Sequence, residues 1–319
     1  MKLFIISFLL LVCSFAFGQS YKSIVNKADS FYKAKEYKKS VQNYKEAFKI
    51  EQKNSLDFYN AGCAAALSGD KKLAFKWLNA ALINGWSNIS HLKIDTDLRS
   101  LHTDKKWNKL VLDMQSIIDK KEASYDKPLR AKLLAIYKDD QPIRQQYISA
   151  QKEFGPESKQ VDSLGRIMIY KDSINVDKVT KILDENGWVG ADKVGVQANQ
   201  TLFLVIQHAD LETQQKYLPL MREAVKIGNA NGSALALLED RVALGEGKRQ
   251  IYGSQIGYDG QTKINYVLPL DDPDNVDKRR SEVGLGSLSE YVKRWEIIWN
   301  VEEYKKKLPE LEEKRKGKN

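Results

Sequence analysis

Between residues 21 and 83 the apolar positions recur at spacings of three and four, the period of amphipathic helices. Residues 21–52 read as two antiparallel helices broken near Lys35 and Glu36. Val25, Ala28, Phe31 and Tyr32 line the first, and Val41, Tyr44, Ala47 and Phe48 line the second. A second pair runs from about Ser55 to Ile83 and breaks at Ser68-Gly69-Asp70. After Gly85 the helical period continues through Leu98, Leu101, Trp107 and Leu110, and Asp95 to Leu98 has the form of a capped helix start. Lys120 to Tyr125, followed by Pro128, reads as a boundary between domains.

Beyond that boundary the pattern stays mostly helical. Leu129–Tyr137 is one segment, and Asp139 to Arg144 opens another. Val176–Asp184 stops at Asn186-Gly187-Trp188. Asp192 then caps a stretch striped with Val194, Ala198, Leu202, Phe203, Val205 and Ile206. Leu211–Ile227 and Ser233–Leu244 are two further helices. Two β-prone runs, Gln250–Gly257 and Thr262–Leu268, flank Tyr258-Asp259-Gly260-Gln261, a hairpin signal. On such a strand Gln250, Tyr252 and Ser254 share one face and Gln255 takes the other. Asp274–Val283 is helical, Gly284 ends it, and Ser287 to Glu290 is a capping box opening the last ordered helix. Glu302–Asn319 alternates acid and base, as a frayed solvated helix or a disordered tail does.

Two of these stretches match each other at a shift of 34 residues: Ile24, Ala28, Ser40, Tyr44 and Ala47 fall in register with Phe58, Gly62, Ala74, Leu78 and Ala81. That period, with small residues at one helix crossing and aromatics at another, resembles the tetratricopeptide helix pair. The resemblance implies a stack with a curved surface that holds other polypeptides. The expected fold is mainly α: a tetratricopeptide-like α-solenoid with capping helices at 19–118, and a mostly helical domain at 119–300 with a β-hairpin near 250–268. A charged tail follows at 301–319. Asp29, Tyr32, Lys33 and Tyr59, with Val25 and Leu67, fall on the concave face as a candidate peptide-binding groove. The same face could instead dock the second domain and position it.

The first eighteen residues carry the pattern of a signal peptide. Lys2 is followed by an apolar run from Leu3 to Phe17, and Ala16-Phe17-Gly18 precedes Gln19 as the new N-terminus. This predicts an exported protein, periplasmic or secreted, with no transmembrane span once the signal is removed. Cys13 could carry a lipid anchor, but Val12 stands where such sites want a small residue. Cys63 is then the sole thiol, so an internal disulfide is excluded and an inert core thiol is expected. Net charge is +9, and residues 21–120 hold 18 Lys or Arg against 11 Asp or Glu. The sequence lacks the aromatic and basic interleaving of nucleic-acid binders. Anionic envelope surfaces or an acidic partner suit the basic excess better.

Catalytic motifs are few. There is no nucleophile elbow, no glycine-rich phosphate or dinucleotide loop and no zinc-binding histidine pair, so no cofactor and no metal is expected. His91 and His102 stand alone, and Asp271-Asp272-Pro273-Asp274 lacks calcium-loop spacing. What stands out is a series of polar blocks on apolar elements: Asp140-Gln141 with Arg144, Asn186-Gly187-Trp188, Gln207-His208-Ala209-Asp210 and Asp240-Arg241-Val242. Gln250-Ile251-Tyr252-Gly253-Ser254-Gln255 and Val276-Asp277-Lys278-Arg279-Arg280 with Val283-Gly284-Leu285 complete it.

In their order and spacing these blocks resemble, over about 129–293, an uncharacterised bacterial domain family of unknown function. The chain departs from it at Val189, where the family has Pro, and at Ser254, where it has Thr. The resemblance supplies a domain and residues but no reaction. Read chemically, Asp140, Gln141, Arg144, Gln207, Arg241, Gln250, Gln255 and Arg280 form a candidate ligand-binding set, in which Arg241 or Arg280 suits an anionic group. His208, with Asp210, Asp240 and Tyr252, is the candidate catalytic set. Alternatively His208 satisfies helix-end carbonyls and the aspartates bracket the arginines. Two functions stay open: an interaction protein whose repeats bind a partner and whose second domain binds a ligand, or a hydrolase or transferase centred on His208.

Overall fold

The computed structural model describes residues 20–52 and 54–316, so the signal read over 1–18, with Cys13, lies outside the described residues. The chain divides into two units, Met1–Lys121 and Glu122–Asn319. It is mainly α-helical, with one two-stranded antiparallel sheet.

The first unit is built from α1 (Tyr21–Lys33), α2 (Tyr37–Ile50), α3 (Ser55–Leu67), α4 (Lys71–Ile83), α5 (Ile89–Ile94) and most of α6 (Lys105–Ala123), with a 3₁₀ turn at Thr96–Leu101. Side-chain caps start the helices where the sequence breaks: Ser20 accepts from the Ser23 amide, Asn54 from Leu56 and Asp57, and Asp70 from Leu73. All ten residues of the 34-residue register are buried. Phe48 and Phe58 meet at 4.3 Å between ring centroids, and Trp77 stands edge-on to Phe48 at 5.6 Å. Gly62 faces Leu78 so closely that a Cβ there would lie 2.8 Å from Leu78 Cγ, which explains the small residue at that crossing.

The second unit comprises α7 (Lys127–Phe154), α8 (Lys159–Asn186), α9 (Ala191–Val194), α10 (Val196–Ile206), α11 (Leu211–Lys226) and α12 (Gly232–Gly245). They are followed by β1 (Ile256–Asp259), β2 (Ile264–Val267), α13 (Val276–Glu282), α14 (Leu288–Val292) and α15 (Val301–Lys316). Leu133, Val179, Leu202, Ile206, Met221 and Leu238 centre its main core. Val267, Leu270, Val276, Leu288, Val292, Tyr304, Leu308 and Leu311 form another.

Four elements differ from the sequence reading. The break placed before Asp139 does not occur: α7 runs through Pro142, because Ile136, Asp140 and Ile143 are buried along one face and hold the helix together across the missing amide. The stretch before Val176, which was assigned no element, is the first part of α8. Past a single bridge from Gln250 to Leu270, Ile251–Gln255 is a loop and not a strand; the amides of Ile251, Tyr252 and Ser254 are taken by a carboxylate described below, so paired strand begins only at Ile256. The C-terminal segment is a packed helix, since Tyr304, Leu308 and Leu311 recur at helical spacing and are buried.

Candidate functional site

Arg144, on α7, lies across α8. It gives a two-nitrogen contact to Asp140, at 3.2 Å from Nε and 2.9 Å from Nη2, and reaches Asp172 on α8. Gln141 Nε2 donates to the same Asp140 carboxylate at 2.6 Å. Asp140 is fully enclosed, and desolvation pushes the Asp172 carboxyl up while Arg144 opposes it. Three residues beyond Asp172, Asn175 is fully buried, and neither its Oδ1 nor its Nδ2 has a hydrogen-bond partner.

His208 follows α10 and joins this group. Its residue surface is open to solvent, but the protein crowded around it, then the charges of Arg144 and Arg241, lower the imidazole to about 4 against the pull of Asp140. It is therefore neutral at pH 7. Arg241, on α12, is half-buried, and its Nε is enclosed without a partner. Among the described residues no carboxylate pairs with it; desolvation, then Arg144, lowers its pKa, with Tyr291 acting the other way. Arg144 thus has two carboxylates and Arg241 none. Arg241, close enough to Arg144 and His208 for their charges to act on one another, is thus a cation with no carboxylate among the described residues, which is chemistry for an anion.

The remaining sequence candidates lie elsewhere. Asp210 is exposed and caps α11, accepting from the Thr213 amide at 2.8 Å, which lowers its pKa. Gln207 is buried and gives its carbonyl to Gln214. Asp240 is fully buried and accepts from the amides of Ile251, Tyr252 and Ser254 at 2.6, 2.9 and 2.9 Å, so it anchors the 250–255 loop. Gln250 ties the same loop to the hairpin, donating to the Gln255 and Leu268 carbonyls, and Gln255 donates to Ser254 Oγ. Gly253 lies within that loop at φ +69°, a turn that glycine makes without strain. Tyr252 Oη reaches Glu239 at 3.4 Å, and desolvation raises its phenol to about 12.

Arg280 is 1 % exposed and donates to the Gly286 and Tyr252 carbonyls, both at 2.6 Å, while stacking on Tyr291. Of the two arginines that looked alike in sequence, Arg280 is internally satisfied and Arg241 is not. Asp172 and Asn175 were missed. Their only trace was a spacing of three and four with the apolar Val179, a helical face in a stretch too polar to suggest one.

In the first unit Asp29, Tyr32, Lys33 and Tyr59 line one recess of about 410 Å³, with Tyr44, Cys63, His91, Asp95 and Asp97. Tyr32, Tyr44 and Tyr59 donate to Asp97, Asp29 and Asp95, and burial, then these carboxylates, raises all three phenols. Cys63, Asp95 and Asp97 bring ligand atoms within 4.8 Å of one another. Burial and the aspartates push the Cys63 thiol up, so it stays protonated at neutral pH. No helix among the described residues is long and apolar enough to cross a membrane.

Residues 127–303 match the model of a family of unknown function, DUF6624. Residues 20–123 match the model described as A/B hydrolase-like, N-terminal domain. No curated protein and no solved structure matches the chain.

Proposed function

This chain belongs to that family of unknown function, and from that premise we propose that it is an interaction protein whose second unit binds a small anionic ligand at Arg241. The observation that carries this reading is the half-buried Arg241 guanidinium, with Nε enclosed and unpartnered, beside a neutral His208 and an Arg144 already neutralised by two aspartates. An uncompensated half-buried cation costs stability, and a bound anion removes that cost. His208 adds a neutral hydrogen-bonding group.

For the first unit, the buried 34-residue register supports tetratricopeptide-like stacking of α1 to α4. The recess that collects Asp29, Tyr32, Lys33 and Tyr59 supports capture of a partner polypeptide there. With the export signal read over 1–18, the working compartment is periplasmic or extracellular.

Thermal unfolding at constant ionic strength, with inorganic phosphate or acetate added, tests the ligand reading. A saturable rise in Tm for the native chain that disappears in Arg241→Gln is expected. Equal shifts in both proteins would remove Arg241 from the role.

A second reading, a hydrolase or transferase, draws on His208 and on the hydrolase-like match. A neutral imidazole beside a cation can accept a proton. Because Asp210, Asp240 and Tyr252 are engaged elsewhere, this reading keeps His208 alone of the candidate catalytic set. Turnover of p-nitrophenyl acetate or p-nitrophenyl phosphate that is lost in His208→Gln would favour it; no turnover by the native chain would end it for those ester classes.

A further inference from the structure

One cavity in the second unit is lined by neither Arg241 nor His208. It has a volume of about 660 Å³ and opens between α10, α11, α12 and the segment from Arg280 to Arg294. Trp188, Phe203, Met221 and Leu237 supply an apolar wall. Ala230 and Ala234, which also line it, leave the space that larger side chains would fill. Cavities on the order of 300–1,000 Å³ with apolar walls and a few polar groups are the usual form of small-molecule sites.

The charged groups on this cavity are not symmetric. Arg280 is spent on two carbonyls, as described, and Glu290 is paired with Lys293 at its outer side. Arg294 has neither a carboxylate nor a hydrogen bond among the described residues; its guanidinium lies over the rings of Tyr291, at 4.7 Å, and Trp295, at 5.3 Å. A guanidinium flattened on aromatic rings still presents its N–H edge outward, in a geometry that fits a carboxylate. The cavity thus offers an apolar interior and one free cation at its rim.

We propose that this cavity is a second ligand site, distinct from Arg241, and that it takes an organic monoanion with an aromatic or alkyl body, its carboxylate at Arg294. The apolar wall excludes small inorganic anions, whose desolvation nothing there repays. The single free guanidinium favours one negative charge over two.

Calorimetric titration of the full chain with 4-phenylbutyrate and with its neutral analogue 4-phenylbutanol tests this. Saturable binding of the carboxylate is expected, weaker binding of the alcohol, and loss of both in Ala234→Phe, which fills the cavity. Arg294 is exposed, so Arg294→Gln leaves the fold intact; it should weaken the carboxylate about tenfold and leave the alcohol unchanged. Arg241→Gln should change neither. Absence of saturable binding of both compounds would overturn the site, as would binding indifferent to Ala234→Phe. Equal affinity for acid and alcohol would overturn the anion assignment, and loss in Arg241→Gln alone would assign the probe to Arg241.

Discussion

Asp240 and Arg241 are neighbours on α12 with opposite surroundings: the carboxylate accepts three backbone amides, while the guanidinium Nε beside it has none to give to. Two adjacent charges thus serve two purposes, one closing the 250–255 loop and the other left open. Groups held open in this way reduce stability in the free protein, and their removal is expected to stabilise it. Arg241→Met keeps much of the volume and removes the charge. Urea denaturation should show a gain of about 1 kcal/mol, together with lost anion binding. A loss of stability would mean that the arginine is internal support.

Asp240→Ala should act in the opposite sense. It strands three buried or half-buried amides that no other group reaches, at a cost of about 3–5 kcal/mol. The damage should centre on residues 250–255, and hydrogen exchange at Ile251, Tyr252 and Ser254 checks that localisation. Unchanged protection there would contradict the bracket.

His208 makes stability depend on pH. Its folded pKa of about 4 lies below its ordinary 6.5, so between those values the unfolded chain binds a proton that the folded chain refuses. Stability should therefore be complete above pH 6.5 and decline as pH falls toward 4. Denaturation midpoints of the native chain and His208→Gln across this window check it: the variant should lose that part of the slope. Because the ring is open to solvent, the effect should be smaller than full burial would give.

Gly62→Ala should destabilise the first unit by about 1–3 kcal/mol despite the better helix propensity of alanine. The added methyl would meet Leu78 at Cγ, a branch point that cannot swing aside, as well as at Cδ2. Adding Leu78→Ala should recover part of the loss in a thermal melt. Independent, additive losses would show that the two residues do not oppose each other.

The helix pairs were legible because a buried stripe of period 3.6 needs only local residues to announce it, and Ala28 and Gly62 marked their own crossings. The long helices were not. Pro142 and the polar run before Val176 look like interruptions until the burial of Ile143, Val161 and Asn175 is known. Gln250 to Gln255 has strand composition, but Asp240, more than ten residues away, claims the amides of Ile251, Tyr252 and Ser254. Distant partners decide such segments. Sequence could not distinguish Arg280, which donates to two carbonyls, from Arg241, which donates to none among the described residues. Only the surrounding acceptors differ. Asp210 looked like a partner for His208 by adjacency, whereas the turn into α11 carries it to a helix cap.

If Arg241 is an open anion-binding group, small anions bind there and lose affinity when its charge is removed. Isothermal calorimetry with inorganic phosphate and with acetate, on the native chain and on Arg241→Gln at pH 7, tests it most directly. Saturable one-site binding of at least one of these anions to the native chain is expected, weakened at least about tenfold in the variant, as loss of a charge-assisted contact implies. A native chain that binds neither, or a folded variant that binds equally well, would contradict it.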